Sequence, residues 1–153
     1  MSRTIIVLLF TFTLLVSAFS LFAQQKKYVD GNYSAAFDYT DPRGWKPKLD
    51  IIIKDGKIVS AVYDEVNVKG EFKTKDQNVE KMMKQYVKTY PMEFVQTFEK
   101  RIIAKQDSDI DSVSGATTSA DNFNKMSAMI LAKALKGDNS KNILPMNDTY
   151  VAT

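Results

Sequence analysis

Apolar residues follow two rhythms along this chain. Between residues 33 and 63 they alternate with polar ones, and between 79 and 135 they recur every three or four positions. Alternation predicts half-buried strands, and the longer spacing predicts amphipathic helices. Tyr33, Ala35, Phe37 and Tyr39 fall on one face of a first strand. Thr40-Asp41-Pro42-Arg43-Gly44 reads as a loop from its turn residues. Leu49, Ile51 and Ile53 share a face in a β-branched run, and a second run extends from Ile58 to Tyr63. Strict alternation there sets Ile58, Ser60 and Val62 against Val59, Ala61 and Tyr63. Asp55-Gly56 between the two runs predicts a tight hairpin, because Gly tolerates positive φ and Asp comes close.

Three helices are predicted downstream. Val79, Met82, Met83, Tyr86, Val87 and Tyr90 form the stripe of the first, and its methionines and aromatics are expected in the core. Thr74 or Asp76 is its candidate cap, and Thr74 to Gln77 has capping-box spacing. Pro91 cannot continue that helix but suits the first turn of the next. Met92, Val95, Phe98 and Ile102 line this second helix, with Phe94 and Ile103 nearby. The third is expected to begin near Ser119 or Ala120. It carries Phe123, Met126, Ile130 and Ala134, widened by Leu131 and Leu135, and stops at Gly137. Strands first and helices later predict an α+β fold, an antiparallel sheet from the N-terminal half packed against helices from the C-terminal half. Residues 137–153 read as a C-terminal tail, loose or carrying a last edge strand.

Composition narrows the chemistry. The 153 residues suit one domain, and 21 Lys and Arg against 18 Asp and Glu give a net charge of only +3. So mild a surplus gives no reason to expect nucleic acid as a partner. The sequence has no Cys and no His. Disulfides, Cys/His zinc sites, iron–sulfur clusters, Cys- or His-ligated haem and Ser-His-Asp triads are therefore excluded. Any redox chemistry must come from a bound group.

Residues 1–23 read as an export signal: Arg3, an apolar run from Ile5, then the small residues Ser17, Ala18, Ser20 and Ala23. Cleavage is expected after Ala18 or Ala23. The rival reading is an uncleaved anchor, since Ile5 to Ala23 spans 19 residues and roughly 20 cross a bilayer. Either way the domain, 24–136, is expected in an extracytoplasmic setting, the periplasm or the cell surface. Without Cys there is no lipobox.

The segment Gln106 to Ser119, QDSDIDSVSGATTS, holds the candidate chemistry. Asp107, Asp109 and Asp111 alternate like the opening of a calcium loop. Counted from Asp107, however, Ser112 stands where such a loop needs Gly, and Thr118 where it needs Glu. A P-loop fails because no Lys follows the glycine. The plain alternative is a polar loop in which Thr118 or Ser119 caps the third helix.

Asp111-Ser112-Val113-Ser114-Gly115-Ala116-Thr117 fits Asp-x-x-Ser/Thr-Gly-Ala-Thr at every position. It resembles the flavinylation motif of the FMN-binding domain family. That family includes the C subunit of the sodium-translocating NADH:quinone reductase, the Rnf G subunit and small exported bacterial proteins. Asp30-Gly31-Asn32-Tyr33, Arg43-Gly44-Trp45, Ile52 to Ile58 and Val66-Asn67 extend the resemblance over roughly residues 30 to 136.

The resemblance implies FMN held on Thr117 through a phosphoester bond, made from FAD by a magnesium-dependent flavin transferase. It implies an electron carrier serving membrane or surface redox partners. Ser114, Gly115, Ala116, Thr118 and Ser119 would surround the attachment point. Asp111 would hydrogen-bond the loop backbone, or position the loop or a metal in the transferase. Trp45 is the preferred aromatic to flank the ring, ahead of Tyr33, Tyr39 and Tyr63, and Asn67 is a candidate polar contact. Gly115 would permit a tight turn and close approach by transferase or phosphate.

The predicted start of the third helix, just after Thr117, would offer free N–H groups to a phosphate. A threonine hydroxyl needs a general base, and with no His the transferase is expected to supply it. The chain would then be substrate and carrier rather than autonomous catalyst. The alternatives are a module that binds FMN reversibly, or a surface interaction protein without a redox role.

Overall fold

A computed structural model describes residues 28–146. The expected export segment, and the tail beyond Met146, lie outside the described residues. The observed fold is α+β, as the order of elements predicts. Three strands, β1 (Gly31–Phe37), β2 (Lys46–Lys54) and β3 (Lys57–Val66), precede three helices, α1 (Gln77–Tyr86), α2 (Pro91–Lys105) and α3 (Thr117–Ala134). A short strand β4 (Asn142–Leu144) closes the order. The sheet runs β3-β2-β1-β4, antiparallel except that β4 lies parallel to β1 at the edge.

The hairpin forms where Asp-Gly predicts it, with Asp55 at φ 53° and Gly56 at φ 71°. Both positive angles belong to the turn whose twist matches paired strands. Burial alternates along β2, with Leu49, Ile51 and Ile53 inward. Strict alternation fails in β3. Ile53 pairs Ile58 but Ile52 pairs Ser60, so Val59 is the extra residue of a bulge. That extra residue resets the parity, turning Ile58, Ala61 and Tyr63 all inward. Tyr39 lies beyond the end of β1 and is 67% exposed, so it does not continue the buried face.

α2 and α3 cover the same side of the sheet, α2 against β3 and α3 against β1 and β2. Phe123, Met126, Ile130 and Ala134 are fully buried, as their spacing predicts, while Leu135 is largely exposed just past the helix end. On α2 the buried positions are Pro91, Phe94, Val95, Phe98 and Ile102, with Met92 and Ile103 only partly covered. The Tyr63 ring meets Phe123 edge-on at 5.4 Å and Phe98 at 6.2 Å, which ties sheet and helices together.

α1 departs from expectation. Its stripe is amphipathic, and the Asp76 carboxylate caps it by accepting from the Asn78 and Val79 N–H groups. Yet none of its residues is buried. Met82 is 53% exposed and Tyr86 74%. The expected core placement of these residues is thus corrected: the apolar face of α1 borders a cavity instead of the sheet, although Met83, partly buried, packs against the core. Among the described residues no helix is long and apolar enough to cross a membrane.

Candidate functional site

The cavity bordered by α1 is about 700 Å³, a size ordinary for a small-molecule site. Val79, Met82, Met83, Tyr86 and Val87 form one wall. Gly115 to Ser119 line it as well, together with Trp45, Arg43 and Lys73. Six of the residues singled out from sequence meet here: Gly115, Ala116, Thr117, Thr118, Ser119 and Trp45.

α3 begins at Thr117, two residues earlier than its apolar stripe predicts. Its N-cap is Ala116, whose side chain can accept nothing, so neither Thr118 nor Ser119 is the cap. The N–H groups of the first turn, Thr117 to Ser119, therefore have no partner within the helix, and these three residues line the cavity. Together with the positive end of the helix dipole they favour an anion. Thr117 is exposed, and its hydroxyl forms no hydrogen bond among the described residues.

The loop leading to α3 is held by groups that sequence reasoning passed over. Gln106, left-handed at φ 58° and closing α2, pairs its amide with the main chain of Ile58, receiving from N–H at 2.7 Å and donating to the carbonyl at 2.9 Å. Asn124 does the same to Ile110 from α3, at 3.1 and 3.0 Å. Arg101 donates to the carbonyls of Asp111 and Ser112. Each of these is a side-chain amide or guanidinium satisfying main-chain groups ten or more residues away, which no local spacing announces.

The remaining candidates stand apart from the cavity. Asp111 is exposed, and its carboxylate forms no hydrogen bond among the described residues; the expected bond to loop backbone is absent, and its carbonyl serves the loop instead. Ser114 is exposed and does not line the cavity. Asn67 organises its own turn, accepting from Lys69 and Glu71 N–H and donating to the Glu71 carboxylate. Tyr33 is buried in the core with its hydroxyl on the Val29 carbonyl. Among the described residues no cluster of acidic side chains could hold a metal ion.

Beneath the start of α3 lies a buried polar network. Glu65 Oε2 accepts from Lys73 Nζ at 2.6 Å, and Oε1 accepts from Ser119 Oγ at 2.6 Å and the Tyr63 hydroxyl at 2.9 Å. Lys73 Nζ also stands 5.7 Å from the centre of the Trp45 ring. Burial, and then the negative charge of Glu65, push the Tyr63 hydroxyl well above its ordinary pKa, so it remains a donor. Trp45 is fixed by Asp41, whose carboxylate accepts from Trp45 N–H at 2.9 Å.

This α+β domain is also the fold of a solved structure. The chain is 33% identical to the CPE2226 protein of Clostridium perfringens, whose crystal structure superposes with a TM-score of 0.75. That match covers 78% of this chain and 98% of the other, and the chain belongs to the family of that protein. It is also 28% identical over 110 residues to the 15 kDa lipoprotein of Treponema pallidum (strain Nichols), covering 71% of this chain and 78% of that protein. No protein-family model matches the chain.

Proposed function

We propose that the domain is an extracytoplasmic flavoprotein that carries FMN on Thr117 through a phosphoester bond and serves as an electron carrier. One observation carries this reading: an unengaged hydroxyl stands on an uncapped helix start at the wall of a ring-sized cavity. The residues present fit the group. Apolar side chains of α1 and the indole of Trp45 suit a flat aromatic system, while the first turn of α3 and the Arg43 guanidinium suit a phosphate. When bound, FMN supplies reversible uptake of one or two electrons.

The chain's own residues hold and orient. Thr117 Oγ bonds to phosphorus as its proton departs to a base of the transferase, with AMP leaving from FAD. The free N–H groups of Thr117 to Ser119 would hold the phosphate. A helix terminus contributes roughly 0.3–2 kcal/mol to holding an anion. That orients a phosphodiester but does not retain a diffusible cofactor, so a covalent bond suits a protein working outside the cytoplasm. The extracytoplasmic setting is supported by the signal-like residues 1–23 and by similarity to a protein named as a lipoprotein. The membrane or surface redox partners follow from the family resemblance.

The test is intact mass after co-expression with a flavin transferase. An added FMN on the fragment holding Thr117, abolished by Thr117→Val, is the expected result. An unaltered mass overturns the covalent reading. Flavin released by acid precipitation, with Thr117→Val still yellow, would instead establish reversible binding in the same cavity.

A further inference from the structure

Ser119 is the third residue of α3. In a capping box the side chain at this position turns back to the N-cap N–H. Here its hydroxyl goes down to Glu65 instead. The first turn is therefore pinned from beneath and left open from above, which is what an anion arriving at Thr117 requires. The pin has a cost. Glu65 is only 3% exposed, and a carboxylate under a helix start repels any phosphate that approaches the same N–H groups, little screened by solvent.

Lys73 answers that charge. Its side chain is 9% exposed and its ammonium meets Glu65 Oε2 at 2.6 Å. Arg43, by contrast, is exposed and has no ion pair among the described residues, so it is the cation free to meet an anion directly.

We propose that Lys73 is a positioning residue of the phosphate site: it cancels the charge of Glu65, so that Glu65 anchors the start of α3 through Ser119 without repelling the phosphate at Thr117. This inference rests on the flavin reading above. Lys73 acts through Glu65 and not by touching the ligand. A direct contact and a compensating charge predict different double variants. If Lys73 compensates, removing both charges restores the site; if it grips the phosphate, removing both does not.

The experiment uses the full chain made without a flavin transferase, titrated with FMN and with riboflavin and followed by flavin fluorescence. Riboflavin has the ring without the phosphate, so it reports the cavity alone. Lys73→Met is expected to weaken FMN about tenfold while leaving riboflavin within about threefold, since one uncompensated buried charge is worth on the order of one decade of affinity. Lys73→Met with Glu65→Gln is expected to return FMN affinity to within about threefold of wild type, and Lys73→Arg to retain it.

Wild-type FMN affinity in Lys73→Met, or a double variant that binds FMN as weakly as the single one, overturns the proposal. Should Lys73→Met fail to fold, the charge-neutral double variant still decides, because it must prefer FMN over riboflavin as wild type does. A wild-type chain that binds neither flavin also overturns the proposal; the functional reading itself falls only if that chain gains no FMN mass with the transferase, an outcome distinct from flavin binding that Lys73 does not affect.

Discussion

Gly115 sits so close to Val87 that a Cβ on the glycine would stand 2.8 Å from the Val87 Cβ. Thr89 Cγ2 would lie only 3.2 Å away. The loop before α3 and the segment after α1 are therefore pressed together at the rim of the cavity. The close approach expected of this glycine is real, but the neighbour is the chain itself. Thr117, two residues on, therefore stands beside this junction.

Gly115 also has φ 84°, in the left-handed region. Gly115→Ala combines that strain with backbone-proximal overlap, and a loss of about 2–4 kcal/mol is expected. Gly44→Ala and Gly70→Ala are the controls, because both have positive φ but nothing within 4 Å of the added carbon. They should lose only about 1–2 kcal/mol. Urea denaturation of the three variants checks this, and equal losses would show that the contact with Val87 is dispensable.

Asp76→Ala removes the side chain that caps α1. A lost cap ordinarily costs about 0.5–2 kcal/mol. α1 contributes no buried residue, however, so the loss should appear as local opening and not as a lower global stability. Hydrogen exchange is expected to quicken in the amides of α1 while those of β2 and α3 stay protected and Tm hardly moves. A drop in Tm matching that of a core variant would show that α1 is integral to the fold.

The hairpin was legible because Asp55-Gly56 has a local geometric requirement, and α3 because its stripe is long. The destination of the α1 stripe was not legible: periodicity shows that a helix has an apolar face but not whether that face packs on the sheet or borders a cavity. Nor was the inward turn of both Ile58 and Ala61, since a bulge is one unpaired residue with no compositional mark. The motif loop placed Thr117 at a helix start, as its sequence suggested, and Trp45 lines the same cavity. Glu65 and Lys73 were invisible. They sit in a stretch that reads as solvated, and their burial depends on where the turn at Lys73–Lys75 folds back onto β3.

Glu99 gives a pH dependence. Its carboxylate accepts from Tyr63 N–H at 2.9 Å on edge strand β3. Burial raises its pKa above the ordinary 4.5, with Asp64 adding to the rise and the Tyr63 bond opposing it. The folded state then holds this proton more tightly than the unfolded one. Its contribution is present below pH 4.5 and is lost as pH rises through the raised value. Glu99→Gln keeps an acceptor for Tyr63 and removes the charge. It is expected to be more stable than wild type at neutral pH and equal to it below the ordinary glutamate range. Urea curves at the two pH values check this, and a neutral-pH loss would show that the ionised carboxylate stabilises the edge.

Trp45 is the chain's single tryptophan, it lines the cavity, and only 7% of it is exposed. Its main chain is held at both ends by Asp41, which accepts its N–H and donates to its carbonyl at 2.8 Å. The indole is therefore in place before any ligand arrives. Its emission overlaps the absorption of an isoalloxazine ring, so a ring bound in this cavity would quench it. Loading with FMN should extinguish nearly all intrinsic tryptophan emission, which returns when the domain is unfolded and its ligand freed or digested away. Trp45→Ala should weaken FMN by about two- to tenfold, the range of one aromatic contact. Trp45→Phe should recover most of that, because a ring face remains for stacking. Unchanged emission in a protein of increased mass would put the ring outside the cavity, with Thr117 modified but α1 and Trp45 playing no part in holding it.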